Sequence, residues 1–175
     1  AEEMRVSQEV TPPNPTTEIG VPIVFDFIFD ASGSMSEHYG ELADCFNQIM
    51  IPSLHAASRR YNNPFRVGCL LFSNELVPAW KGFKSLEALG EAPLNAGMFR
   101  QSGLGGETAL FRAMKTGVIW TAAAIRQFPS GAWGKVIVLT DGANNLEPTD
   151  PGEVGEILHQ NRDNKKPFQT SIAYF

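Results

Sequence analysis

Two apolar runs, each closed by an aspartate, constrain this chain more than any other feature in it. Val21, Ile23, Val24, Phe25, Phe27, Ile28 and Phe29 lead into Asp30, and Val136, Ile137, Val138 and Leu139 lead through Thr140 into Asp141. Short runs that are apolar at successive positions read as strands buried on both faces, which is the pattern of a parallel sheet with helices above and below it. A further run from Arg66 to Phe72 reads the same way, and Phe168 to Phe175 reads as another strand.

Between these strands the spacing changes to that of helices. Leu42, Phe46, Ile49, Met50 and Leu54 recur at three and four, marking one face of a helix from Ser36 to about Arg60, with Ser36 as its N-cap. Pro52 lacks the amide proton and crowds the preceding turn, so that helix should kink or be broken near Gln48 to Ile51. Leu76 to Trp80 contains Pro78 and is demoted to an edge strand. Ser85 should cap a short helix to Leu89, and Asn95 to Glu107, with four glycines, reads as loop. A long helix is expected from Thr108 to about Phe128 with Leu110, Met114, Val118 and Ala122 inward, and another follows Pro148 to Asp150 through Val154, Ile157 and Leu158.

Strands alternating with helices imply an α/β fold of the doubly wound kind. Its sheet should be mostly parallel, covered on both faces, with one antiparallel edge strand. Residues 1–20, with Pro12, Pro13 and Pro15 and no apolar period, read as an arm or linker, and residues 21–175 as one domain. The net charge of −5 and a pI near 5.2 argue against a nucleic-acid partner, because phosphate binding needs clustered Lys and Arg. No apolar run reaches the roughly 20 residues of a membrane span. Cys45 and Cys69 form no metal or redox spacing and are expected to pack as small apolar side chains, which favours a reducing, cytoplasmic setting.

In open α/β sheets, ligands sit at the carboxyl ends of the strands, where both aspartates are placed. If the two strands are neighbours, Asp30 and Asp141 approach with no Lys or Arg in either loop. Two like charges at ~5 Å and an effective dielectric of ~20 cost about 3 kcal/mol, a large share of a domain's stability. Either one carboxyl takes up a proton or a cation sits between them. Ser32 and Ser34 add oxygen donors in the Asp30-Ala31-Ser32-Gly33-Ser34 stretch, and neither loop holds His or Cys. An oxygen-only donor set suits Mg²⁺ best, with Mn²⁺ and Ca²⁺ as alternatives.

Three segments in order then resemble the von Willebrand factor A family and its metal-ion-dependent adhesion site. Asp30-Ala31-Ser32-Gly33-Ser34 matches the D-x-S-x-S loop, and Gly106-Glu107-Thr108-Ala109-Leu110, followed by Ala113 and Met114, is similar to the threonine motif. Thr140-Asp141-Gly142 matches the distant aspartate. The resemblance implies a Rossmann-like sheet and a divalent cation on Asp30, Ser32, Ser34, Thr108 and Asp141. A coordination position is left for a Glu or Asp of a partner protein. Bacterial members of the family serve in assemblies with ATPases or stress-response proteins, which makes such an assembly an expected setting. The family carries a helix, a strand and a closing helix beyond the point matched by Phe175, so the C-terminal part of the usual fold is expected to be missing. Glu107 stands where many members have Gly.

Rival readings rest on the same residues. A Mg²⁺-dependent hydrolase or phosphotransferase using Asp30 as nucleophile would need a second carboxylate two residues on, where Ser32 stands, and a lysine in the loops. No G-x-S-x-G elbow supports a serine hydrolase. The expectation is therefore no enzyme, with a purely structural metal as a further alternative. Asp26 is expected to pair with a Lys or Arg near the start of its strand, and His38, His55 and His159 to be solvated. Glu37, Tyr39, Asn144 and Asn145 are candidates for a partner-facing rim.

Overall fold

The computed structural model describes residues 20–101, 108–142, 151–162 and 168–174. Its sheet contains β1 (Ile23–Asp30), β2 (Phe65–Phe72), β3 (Leu76–Pro78), β4 (Lys84–Ser85), β5 (Trp133–Thr140) and β6 (Phe168–Tyr174). The strand order is β3-β2-β1-β5-β6, with β4 also on β2. β1 lies centrally and pairs in parallel with both β2 and β5, and β5 pairs in parallel with β6. The expected antiparallel edge strand is β3, and the two-residue β4 pairs antiparallel to β2 as well. The proposed arm (residues 1–20), the glycine-rich stretch with Glu107, and the rim candidates Asn144 and Asn145 lie outside the described residues, apart from Gly20.

The apolar runs are explained by burial on both faces. Phe25, Phe27 and Phe29 point into one core layer with Phe46, while Ile28 joins Val136, Val138 and Leu110 in the other. Phe46 meets Phe27 and Phe29 edge-on, with centroids 5.1 and 5.7 Å away. The first layer is covered by α1 (Tyr39–Cys45) and α2 (Ile51–Tyr61), together with α3 (Leu86–Glu91) and α4 (Ala96–Gln101). The second is covered by α5 (Leu110–Ile125) and α6 (Pro151–Arg162). Among the described residues no helix is long and apolar enough to cross a membrane.

The kink expected at Pro52 takes the form of one wide turn. Phe46–Met50 is π-helical, and the Ile51 amide donates to the Phe46 carbonyl five residues back. The wide turn opens space ahead of a residue that cannot donate and would otherwise crowd the carbonyl four residues before it. The extra residue also rotates the apolar face. Ile49, expected inward, is 62% exposed, and Ile51 is buried in its place.

Two other expectations are corrected. Ser36 does not cap the helix, because the chain already coils as a 3-10 segment from Gly33 to His38 and the serine lies exposed within it. The region after Asn95 is not all loop, since the Asn95 side chain accepts the Met98 amide (3.2 Å) and starts α4, which buries Phe99. Ser85 caps α3 as expected, accepting the Ala88 amide at 3.3 Å.

Asp26 departs furthest from expectation. It is buried in the face of β1 that meets α5, and among the described residues the only ion pairs are His38–Glu41 and Lys115–Glu153. Its Oδ2 has no hydrogen-bond partner, nor does Thr121 Oγ1 on α5. Room for the carboxyl comes from two glycines. A Cβ on Gly117 would lie 3.2 Å from Oδ2 and 2.4 Å from Ile28, and one on Gly68 would lie 3.0 Å from Oδ1. With no ion-pair partner among the described residues, desolvation favours the neutral acid and pushes its pKa from 3.8 to about 8.

A carboxyl raised on folding contributes stability that is complete below its unfolded pKa and is lost as pH climbs toward the folded one. Asp26 should therefore cost stability between about pH 4 and pH 8, with a slope approaching about 1.4 kcal/mol per pH unit. Urea unfolding at pH 5, 6.5 and 8 should show the Asp26→Asn variant gaining on the parent as pH rises. Parallel profiles for the two proteins would show that the carboxyl is not neutralised by burial.

Candidate functional site

β1 and β5 run in register, Phe29 opposite Leu139, so the loops that follow them leave the sheet side by side. Asp30 is fully buried at the end of β1 and accepts two hydrogen bonds. The Ser32 amide donates to Oδ1 (2.8 Å), and Thr140 Oγ1 donates to Oδ2 (2.6 Å). Ser32 Oγ lies 3.1 Å from Ser34 Oγ, and Ser34 Oγ in turn donates to Asp141 Oδ1 at 3.2 Å. Residues more than a hundred positions apart thus form two strings of oxygen contacts, Asp30–Thr140 and Ser32–Ser34–Asp141, joined through the Ser32 amide. Ser34 and Asp141 are exposed while Asp30, Ser32 and Thr140 are buried, so the cluster opens to solvent on the Ser34–Asp141 side.

Thr108 is held to the same end of the sheet through backbone. The Phe72 carbonyl at the end of β2 accepts the Ala31 amide (2.6 Å), and the next carbonyl, Ser73, accepts the Ala109 amide (2.9 Å). The residues following Asp30 and Thr108 are therefore pinned to adjacent peptide units. Thr108 itself is 5% exposed. All five expected residues, Asp30, Ser32, Ser34, Thr108 and Asp141, lie where the loops meet above β1, β2 and β5.

Two residues of this region support the site in ways the sequence pattern does not indicate. Thr140 closes β5, donates to Asp30 and accepts the Gly142 amide at 3.1 Å, thereby tying both aspartate loops together. A threonine ending an apolar strand just ahead of an aspartate was the available signal. Tyr39, expected on an exposed rim, is instead 1% exposed, and its hydroxyl lies 2.6 Å from the Ala31 carbonyl and 3.0 Å from that of Ser32. Its ring stacks on Phe99 at 5.1 Å, so the short helix α4 braces the loop that carries Ser32 and Ser34. Burial, and then the nearby Asp30 carboxylate, push the Tyr39 phenol up, while Arg100 pulls it down. The net effect keeps the phenol a donor. Neither Asp30 nor Asp141 is in an ion pair with Lys or Arg among the described residues.

No family model and no curated protein sequence matches the chain. Solved structures do share its fold. The PilB minor pilin from Streptococcus sanguinis is 18% identical, with a TM-score of 0.54 over 74% of this chain and 31% of that one. A von Willebrand factor type A structure from Catenulispora acidiphila is 15% identical, with a TM-score of 0.53 over 87% of this chain and 33% of that one. Proximal thread matrix protein 1 from the mussel byssus is 17% identical, with a TM-score of 0.52 over 89% and 40%. The fold is of the von Willebrand factor type A kind. The chain spans between 31% and 40% of the length of these three structures, and at such identities the likeness extends to the fold alone.

Thr140 supplies a test of the cluster that needs no ligand. Thr140→Val keeps the volume and removes a donor from a buried carboxylate, which should cost about 1.5–3 kcal/mol in chemical denaturation. Thr140→Ser should recover most of that loss. Equal stability of the Val variant and the parent would show that the hydroxyl does not hold Asp30.

Proposed function

We propose that the chain is a metal-dependent protein-binding module rather than an enzyme. In this reading Ser32, Ser34 and Thr108 hold one Mg²⁺ directly or through water, and Asp30 and Asp141 balance its charge. The observation that carries the proposal is the contact chain from Asp30 through Thr140 and from Ser32 through Ser34 to Asp141, which gathers two carboxylates without a Lys or Arg partner among the described residues.

The donor set fits a small hard cation. Every side-chain donor is oxygen, and the Ser32–Ser34 and Ser34–Asp141 separations of 3.1 and 3.2 Å are close to the ~3.0 Å edge of an octahedron whose metal–oxygen bonds are ~2.1 Å. Among the described residues no three His, Cys, Asp or Glu side chains are gathered, so in this reading hydroxyls and water would complete the shell. The ion would supply an electrophilic open position for a carboxylate oxygen of the partner. The chain's own residues do the remaining work. Ser32 N and Thr140 orient Asp30, Tyr39 fixes the serine loop, and the exposed Ser34–Asp141 side leaves a path for the partner. The fold shared with a minor pilin and with a thread matrix protein supports an interaction role.

Titration calorimetry with MgCl₂ should show one site, absent in Asp30→Ala. Thr108→Ala should weaken it by at least about tenfold, the usual scale for loss of a supporting ligand. Both variants should retain the parent's circular dichroism. The peptide Ac-Gly-Glu-Gly-amide should bind the parent in Mg²⁺ and be released by EDTA. Binding indifferent to the chelator, or unchanged in both variants, would overturn this function while leaving the fold intact.

A further inference from the structure

Next to Asp141 a cavity of about 520 Å³ opens between that residue and the helical segment that follows the serine loop. Its floor is apolar, formed by the core residues Met35 and Leu42 with the half-buried Cys45 beside them. Its rim is polar and acidic, carrying His38, Glu41 and Asp141. The Glu41 side chain is 81% exposed, and among the described residues its Oε2 pairs with the His38 imidazole at 3.2 Å and with no Lys or Arg.

An apolar floor under an acidic rim matches one kind of side chain, a long aliphatic stem ending in a cation. The charge balance of the proposed metal site points the same way. A divalent ion offsets Asp30 and Asp141, so a partner's carboxylate arrives uncompensated beside Glu41. A basic residue near that carboxylate in the partner's chain offsets both. We propose that this cavity is a subsite for a Lys or Arg side chain that accompanies the metal-seeking acid, so that the module reads an acid–base pair in a partner segment rather than an acid alone. The acidic half of this recognition rests on the metal reading above, whereas the basic half rests on the cavity.

The test uses synthetic peptides of the form Ac-Gly-Gly-Glu-Gly-Lys-Gly-Gly-amide, with the lysine one, two or three residues to either side of the glutamate. Each is compared with a counterpart carrying norleucine in place of lysine. Affinity is read from methyl shifts of Met35 and Leu42 in NMR titrations of the whole chain, with Mg²⁺ and again with EDTA. At the best spacing, lysine should exceed norleucine about fivefold, the upper range for an exposed ion pair. Glu41→Gln should bring that ratio near one, while Glu156→Gln on α6, across the sheet, should leave it unchanged. Norleucine equal to or better than lysine at every spacing, or a ratio untouched by Glu41→Gln, overturns the subsite whether or not Mg²⁺ binds. A lysine preference that depends on Glu41 but persists in EDTA, with no Mg²⁺ binding by calorimetry, upholds the subsite and removes the metal reading instead.

Discussion

The in-register parallel pairing of β1 with β5 is the constraint on which the rest of the site depends. Parallel strands carry their chain direction together, so two runs that each stop at an aspartate deliver both acids to one end of the sheet. Once delivered there, the carboxylates need donors. The chain supplies an amide from Ser32 and hydroxyls from Thr140 and Ser34, and no Lys or Arg in an ion pair among the described residues. That choice of donors leaves the cluster without a Lys or Arg counter-ion among the described residues, and the proposed cation site rests on this.

The same strand shows the two outcomes open to a buried acid. Asp26 and Asp30 lie four residues apart and so share one face of β1. Asp30 sits at the strand's end, where loop amides and hydroxyls can turn toward it. Asp26 sits mid-strand against the glycines of β2 and α5, where backbone donors are committed to the sheet and none is left to approach Oδ2. One carboxyl is satisfied by donors and the other loses its charge to burial, although their residue type and orientation are alike.

Behind the serine loop, support comes from parts of the chain distant in sequence. Phe99 stacks on Tyr39, Tyr39 reaches the Ala31 and Ser32 carbonyls, and the Phe72 and Ser73 carbonyls hold the residues after Asp30 and Thr108. A fold shared with solved structures at 15–18% identity fits this arrangement. The pattern of buried strands is what must persist for the sheet to form, while most individual side chains can change.

The sequence by itself determined the long strands, the mostly parallel character of their sheet and the place of both aspartates at strand ends, because burial on two faces writes an apolar run that few other structures produce; which strands are neighbours was left to the structure. It also marked the disturbance at Pro52 and the cap at Ser85, since both follow from one residue's covalent chemistry. Tertiary structure decided the rest. The wide turn at Phe46–Met50 rotated Ile49 outward, Asn95 began a helix in a stretch that its glycines made read as loop, and Tyr39 turned inward to meet Phe99. Thr140's bond to Asp30 and the burial of Asp26 without an ion-pair partner among the described residues likewise arise only when separate strands are packed together. Such features depend on which groups from distant segments come within a hydrogen bond's reach, and local periodicity holds no record of that distance.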